Sequence, residues 1–373
     1  MFEIIRANQR KSMVLVVVML LLLLGLGFVF GSALVPSIGA TYLEGGAPAP
    51  GPGGPQDVAM QLVFDPTAGF VGMGVAAVLW LLLSLAAYWQ GDRILLSSTG
   101  AVEIQKEDHP RLFNIVEEMK IAAQLPKMPR VAIIDTRVPN AFAAGRSPDN
   151  AVVAVTVGLL EKLDRDELQG VVAHEVGHIV NRDVLFMTML GVMVGTIVIL
   201  ADVFLRSVFY SSLAGTRRSS RKGGGGAQII LFVIAIVLAI LAPILAQVIY
   251  FAASRRREYL ADASAAIYTR YPDGLARALE KISRGAGDYK KSKASRVTAP
   301  MYIVNPMQAR GRSTGLFSTH PDTQERIRIL RTMAGGSVGY AEYQAAWKSV
   351  DGKRAGSLPG SALARGEAQP ARE

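Results

Sequence analysis

Residues 171–183 read Val-Val-Ala-His-Glu-Val-Gly-His-Ile-Val-Asn-Arg-Asp, and within them His174, Glu175 and His178 form an H-E-x-x-H pattern. On an α-helix, positions i and i+4 share a face, so two imidazoles spaced this way aim at one point. Glu175 stands beside the first imidazole and reaches a water held there. This is the residue set of zinc hydrolysis: the imidazole pair binds Zn²⁺, and the carboxylate takes a proton from the water. The chain has four histidines, and the pattern uses two of them. The competing reading is an ordinary amphipathic helix that happens to carry two histidines. A helical setting and an available third ligand favour the metal.

A catalytic zinc usually has three protein ligands and one water, so two imidazoles leave it one short. The chain contains no cysteine, which excludes thiolate ligands and disulfides alike. The remaining ligand must come from histidine or a carboxylate. Residues 254–262, Ser-Arg-Arg-Arg-Glu-Tyr-Leu-Ala-Asp, place Glu258 and Asp262 four apart, on one face of a helix. Glu258 is a candidate ligand. Asp262 is a candidate acceptor for the free ring nitrogen of a ligand histidine, which would fix its tautomer. The alternative for Glu258 is solvation, or pairing with one of the preceding arginines.

Three further places bear on a peptide site. Asn140, Ala141, Phe142 and Ala143 read as a strand whose small residues let an extended substrate backbone approach by β-augmentation, while Phe142 fits a plain core position equally well. His320 precedes Pro321 and the run Asp322-Thr323-Gln324-Glu325, a capping-box pattern for a helix over 322–333. It is either a helix-entry residue or an imidazole that stabilises a tetrahedral oxyanion. His109, before Pro110, reads as a surface residue.

The elements that must position these residues are set by an apolar composition. Of 373 residues, 50% are hydrophobic, and the formal charge is +10. The basic residues cluster beside apolar runs, which suits anionic lipid headgroups, so the expected partners are a bilayer and protein or peptide substrates rather than nucleic acid. A leader with Arg6, Arg10 and Lys11 precedes an uncharged run over 13–35, long enough to cross a bilayer. Gly31-Ser32-Ala33 would suit a signal-peptide cleavage site, but the run is long for that and further spans follow, which favours a retained anchor. Residues 36–67 are rich in Gly and Pro and have no Lys or Arg, as expected of an outer loop. A second span over 68–89 ends on Tyr88-Trp89 before Arg93 and returns the chain to the inside. Residues 1–91 are thus the expected membrane anchor.

Residues 92–183 read as the first part of a catalytic domain, with a helix over 110–124, strands over 131–135, 141–144 and 151–157, and a capping box at Asp164–Glu167 that opens the zinc helix. Apolar runs at 184–201 and 228–254 form a hydrophobic hairpin around a basic, Gly/Ser-rich loop at 206–226. If both runs cross, that loop lies outside, against the positive-inside tendency; a shallow hairpin re-entering from the inside is the alternative. Residues 255–350 supply the second part of the catalytic domain, and 351–373 read as a disordered tail.

Taken in order, the basic leader and two spans, Val138-Pro139-Asn140-Ala141-Phe142-Ala143-Ala144-Gly145, the H-E-V-G-H helix, the hairpin, S-R-R-R-E-Y-L-A-D and Phe317-Ser318-Thr319-His320-Pro321 resemble the HtpX-like membrane zinc metalloproteases. These are gluzincins related to the CaaX prenyl endopeptidases. The resemblance covers most of 1–335. It implies an α-helical membrane protein with an α+β zincin-like catalytic domain and about four transmembrane or membrane-embedded helices. It implies one Zn²⁺ per chain on His174, His178 and Glu258, with Glu175 as general base. It further implies a cytoplasm-facing site that cleaves membrane proteins in quality control. The loops at 36–67 and 215–226 are more elaborate than the family pattern. A prenyl-protein endopeptidase would demand a larger intramembrane chamber than four apolar runs build. A true intramembrane protease would bury the motif in an apolar span, whereas charged residues flank it here. The rival from another class is a membrane scaffold or chaperone with a vestigial site, and the intact ligand set stands against it.

Overall fold

The computed structural model describes residues 2–34, 66–213, 225–284, 321–333, 335–336 and 338–351. In chain order the elements are α1 (Phe2–Leu34), α2 (Pro66–Thr99), β1 (Ala101–Ile104), α3 (Pro110–Ala122), β2 (Arg130–Ile134), β3 (Ala141–Ser147), β4 (Asn150–Thr156), α4 (Val157–Lys162) and α5 (Arg165–Val180). They continue with α6 (Asp183–Leu213), α7 (Gly225–Thr269), α8 (Pro272–Arg284), α9 (Thr323–Thr332) and α10 (Tyr340–Asp351). Contacts divide them into two units, one built from residues 15–85 and 190–247, the other from 1–14, 86–189 and 248–373.

The first unit is apolar helix. Four helices are long and apolar enough to cross a membrane, over Met13–Ser32, Pro66–Thr99, Asp183–Tyr210 and Phe232–Thr269. Their outer faces carry exposed Leu21, Phe70, Leu82 and Ile240, a surface that suits lipid and not water. Inside, small residues let backbones touch: a Cβ added to Gly31 would overlap Ala68 O and Gly72 Cα, so α1 and α2 meet through a small-residue seam. Phe30 of α1 stacks on Phe204 of α6 with ring centroids 4.3 Å apart.

These helices outrun the apolar spans that hydropathy marks out. α1 already begins within the basic leader, α2 continues ten residues past Trp89, and α7 runs unbroken from Gly225 through Pro243 to Thr269. Each added residue of an existing helix gains a hydrogen bond, so polar residues at a span's end continue it. The consequence is chemical: Glu258 and Asp262 stand on the same helix as the fourth apolar run. Residues 36–65 of the Gly/Pro-rich loop, residues 214–224 of the basic loop, and the tail at 352–373 lie outside the described residues.

The second unit holds the sheet, in the order β1-β2-β4-β3. β1 pairs antiparallel with β2, β2 parallel with β4, and β4 antiparallel with β3. Three of the strands are those the alternation predicts, within one to three residues. β1 was not predicted: it is four residues long, and its Val102 is 66% exposed, so it lacks the buried periodicity that marks a strand. One face of the sheet buries Ala141, Ala143, Val153 and Val155 against α3 and α5. The other buries Phe142, Ala144, Val152 and Ala154. α3 starts at His109, whose Nδ1 accepts from Leu112 N at 3.1 Å; the residue expected at the surface is a helix cap.

α5 opens with the predicted capping box. Asp164 Oδ1 accepts from Glu167 N, and Glu167 Oε2 accepts from Asp164 N, each at 3.0 Å. Glu167 is buried and also takes the ammonium of Lys281 from α8 at 2.6 Å. Helix α5 is buried nearly all round, so its histidines are fixed by packing rather than by a solvated amphipathic face. The second capping box is a correction: Asp322 caps Gln324 N, but Glu325 instead accepts from Tyr259 OH at 2.7 Å.

Candidate active site

His174 and His178 sit one turn apart on α5, their rings edge to face with centroids 4.8 Å apart. Between them Gly177 faces α7, where an added Cβ would lie 3.1 Å from Ser264 Cβ and 3.4 Å from Ala261 Cα. That close approach brings Glu258 between the two rings. Glu258 Oε2 lies 3.6 Å from His174 Nε2, and Oε1 lies 3.5 Å from His178 Nε2. One ligand atom from each of the three residues lies within 4.8 Å of the others.

The spacing fits a metal. Bonds of about 2.0–2.1 Å at a tetrahedral angle put neighbouring ligand atoms roughly 3.3–3.5 Å apart. The donor set of two imidazoles and a carboxylate is one that zinc accepts. Electrostatics agree. Burial opposes a charge on either ring, yet Asp262 and Glu258 hold His174 above its ordinary pKa, and Asp183 and Glu258 hold His178 well above it. A cluster that attracts a proton this strongly attracts a divalent cation for the same reason.

Each ring is oriented from behind. His174 Nδ1 lies 2.9 Å from Asp262 Oδ1, and His178 Nδ1 hydrogen bonds with Asp183 Oδ2 at 3.1 Å. Both carboxylates are in turn clamped by arginine. Fully buried Arg326 of α9 forks onto Asp262, Nε to Oδ2 at 2.8 Å and Nη2 to Oδ1 at 2.7 Å, and its Nη1 lies 3.2 Å from Glu258 Oε2. Arg257 holds Asp183 and covers the Phe186 ring at 4.0 Å. Burial works against the Arg326 charge, but Asp262 and Glu258 outweigh it and hold the group above its already high pKa.

Glu175 is 5% exposed and lies off the ligand face. Its carboxyl is pushed up by burial, partly offset by the two histidines, and it accepts a hydrogen bond from the Ala143 N–H of β3. β3 is an edge strand of the described sheet. Thr156 N donates to Asn140 O, so in this register Asn140, Phe142 and Ala144 face β4, and the N–H and C=O groups of Ala141, Ala143 and Gly145 face outward. The acid beside the metal group therefore stands at the free edge of a strand. Phe142 is buried in the cluster on the far face of the sheet, away from α5.

A model of peptidase family M48 matches residues 106–334. The chain belongs to peptidase family M48. As an M48 member it is a membrane metalloprotease, and the matched region runs from the start of α3 to the end of α9, with the whole described metal group inside it. It is 48% identical to a Protease HtpX homolog of Dictyoglomus thermophilum over 265 residues, which are 71% of this chain and 83% of that one. It is 45% identical to a Protease HtpX homolog of Pyrococcus furiosus over 263 residues, 70% of this chain and 87% of the relative. A solved structure of Ste24p from S. mikatae aligns with a TM-score of 0.42 and 19% identity, over 69% of this chain and 57% of that one.

Within this candidate site the structure brings together His174, Glu175, His178, Glu258 and Asp262, with Ala143 at the edge. His320 lies outside the described residues. Sequence reasoning missed Asp183, Arg257 and Arg326. For Asp183 a signal existed, an acid at the mouth of an apolar run five residues after His178. Arg257 stood in view as a possible partner of Glu258, but it holds Asp183. Arg326 gave no signal, being 64 residues from its partner Asp262.

Proposed function

We propose that this membrane metalloprotease is a zinc endopeptidase that hydrolyses peptide bonds of membrane or misfolded proteins from the cytoplasmic side. The observation that carries the reading is the convergence of His174 Nε2, His178 Nε2 and Glu258 beside a buried acid at the edge of β3. His174, His178 and Glu258 would hold one Zn²⁺. When bound, zinc polarises the scissile carbonyl and acidifies water. Asp262 and Asp183 accept from the two Nδ1–H groups, which leaves both Nε2 lone pairs for the metal. A substrate strand pairs with the outward groups of Ala141 and Gly145, with its scissile bond near Ala143. Glu175 takes the proton of the attacking water and returns it to the leaving amine.

The metal assignment is tested by zinc content of the purified full chain. One zinc per chain is expected, and Glu258→Ala should lose both metal and turnover. Stoichiometric zinc with normal activity in Glu258→Ala would reject the ligand set. A zinc-free wild type would favour the scaffold reading instead.

Both soluble parts face the cytoplasm in this reading, and the third and fourth apolar helices cross fully. α6 and α7 span roughly 46 and 68 Å at 1.5 Å per residue, too long for a shallow hairpin. In α6, Asp202 and Arg206 form an ion pair at 2.7 Å, followed by Phe209 and Tyr210. Asp202 is about 28 Å along the helix from Asp183, where a hydrocarbon core of about 30 Å would end. The absence of native cysteine makes labelling direct. Cysteines at Ala47 and Ser219 should label from outside, and one at Ser98 only when the inner face is opened. Labelling of Ser219→Cys from the inside alone would restore the shallow hairpin.

A further inference from the structure

Apart from the metal group, the end of β3, the end of α5 and the first turn of α6 line a small cavity that is about half open to its surroundings. Two guanidinium-bearing residues line it, Arg146 and Arg182, together with apolar Ile179, Val184 and Leu185. Among the described residues neither arginine has an acidic partner at salt-bridge distance. The contacts of Arg146 are with aromatic rings, 4.8 Å from the Trp89 centroid and 5.7 Å from that of Tyr88. The acid next to Arg182 in sequence, Asp183, is committed to Arg257 and His178. The cavity is thus lined by two basic residues and an apolar wall, and no acid of the described residues pairs with either arginine.

Its surroundings identify the anion. Val184 and Leu185 open the apolar run of α6, and Tyr88 and Trp89 close that of α2. Trp89 is 61% exposed although it lies under a guanidinium. Tyrosine, tryptophan and arginine together, where apolar helices enter and leave, are the residues of a membrane–water boundary. Arginine matches a phosphodiester bidentately and stacks on an aromatic ring at the same time. We propose that the open mouth of this cavity binds the phosphate of an anionic membrane lipid, held by Arg146 and Arg182, with Val184 and Leu185 against the first carbons of the lipid. The headgroup would then sit beside Gly145, at the end of the strand that receives substrate, and link cleavage to the lipid around the enzyme. The proposal rests on the membrane placement of α2 and α6 and not on the zinc chemistry, so either can fail without the other.

The test is native mass spectrometry of the full chain in detergent with added dioleoyl-phosphatidylglycerol or dioleoyl-phosphatidylcholine. Wild type should retain one phosphatidylglycerol in preference to phosphatidylcholine. The double variant Arg146→Gln/Arg182→Gln should bind phosphatidylglycerol roughly 30-fold more weakly, about fivefold for each basic residue lost at a membrane surface. The double lysine variant should keep part of the affinity. Circular dichroism and the melting temperature of the variants report folding, and the wild-type comparison of the two lipids needs no variant. Equal retention of the two lipids by wild type, or unchanged phosphatidylglycerol binding in the glutamine variant, overturns the proposal. Displacement of the lipid by an equal concentration of inorganic phosphate would reduce the site to a free-phosphate pocket and overturn the lipid assignment. If the glutamine variant instead loses preference for acidic over neutral peptides in phosphatidylcholine nanodiscs, the cavity is a substrate subsite, and the proposal also fails.

Discussion

Glu175→Gln is expected to lose on the order of 10²–10⁴-fold in peptide hydrolysis while keeping its metal and its fold. The residue lies about 100° around the helix from His174, so it cannot share the ligand face, and its loss removes no donor from the cluster. Glutamine keeps the shape, and its carbonyl oxygen can accept the Ala143 N–H that the carboxylate now accepts. Burial already disfavours the charge of Glu175, so a neutral side chain there adds no desolvation cost. What disappears is the only group beside the metal cluster, among the described residues, placed to take a proton at the edge of β3. The measurement is zinc content and turnover of an unfolded membrane substrate, on both proteins side by side. Wild type purified without chelator should also nick itself, and the glutamine variant should stay intact. Near wild-type turnover would sink the mechanism. Loss of zinc together with activity would make Glu175 structural.

How much of this site the sequence discloses follows from how local each relation is. His174, Glu175 and His178 lie within one turn of one helix, so spacing alone places them. Glu258 and Asp262 are likewise one turn apart, and composition tells that histidine or a carboxylate must complete the set when cysteine is absent. The capping box at Asp164–Glu167 is readable because both partners lie three residues apart. What escapes is non-local or continuous with something else. β1 is too short and too exposed to carry a period. The unity of α7 is hidden because hydropathy falls at Arg255 while the helix continues. Asp183 looks like a flanking charge, and only the turn after α5, where Arg182 takes a φ of +58°, brings it back under His178.

Arg326→Met is expected to cost about 3–5 kcal/mol in metal-free protein, the usual scale for removing one partner of a buried ionic group. Arg326 is fully buried and is shared by two acids, with a fork on Asp262 and a third nitrogen 3.2 Å from Glu258. Without it the two carboxylates beside His174 lose the guanidinium they share. Methionine fills the volume, so the loss is charge and hydrogen bonding and not a cavity. Bound zinc would supply positive charge at the same place and replace part of what Arg326 gives. The destabilisation should therefore be larger in chelator than with zinc, and the gap in unfolding temperature between zinc-loaded and chelated protein should widen in the variant. Lysine in place of Arg326 keeps the charge but not the fork, and should fall between. Removing both charges together, with Arg326→Met and Asp262→Asn, should recover part of the loss, because the uncompensated acid is what costs most. If Arg326→Met unfolds in chelator at the wild-type temperature, the clamp on Asp262 contributes nothing, and His174 is oriented by its packing in α5 alone.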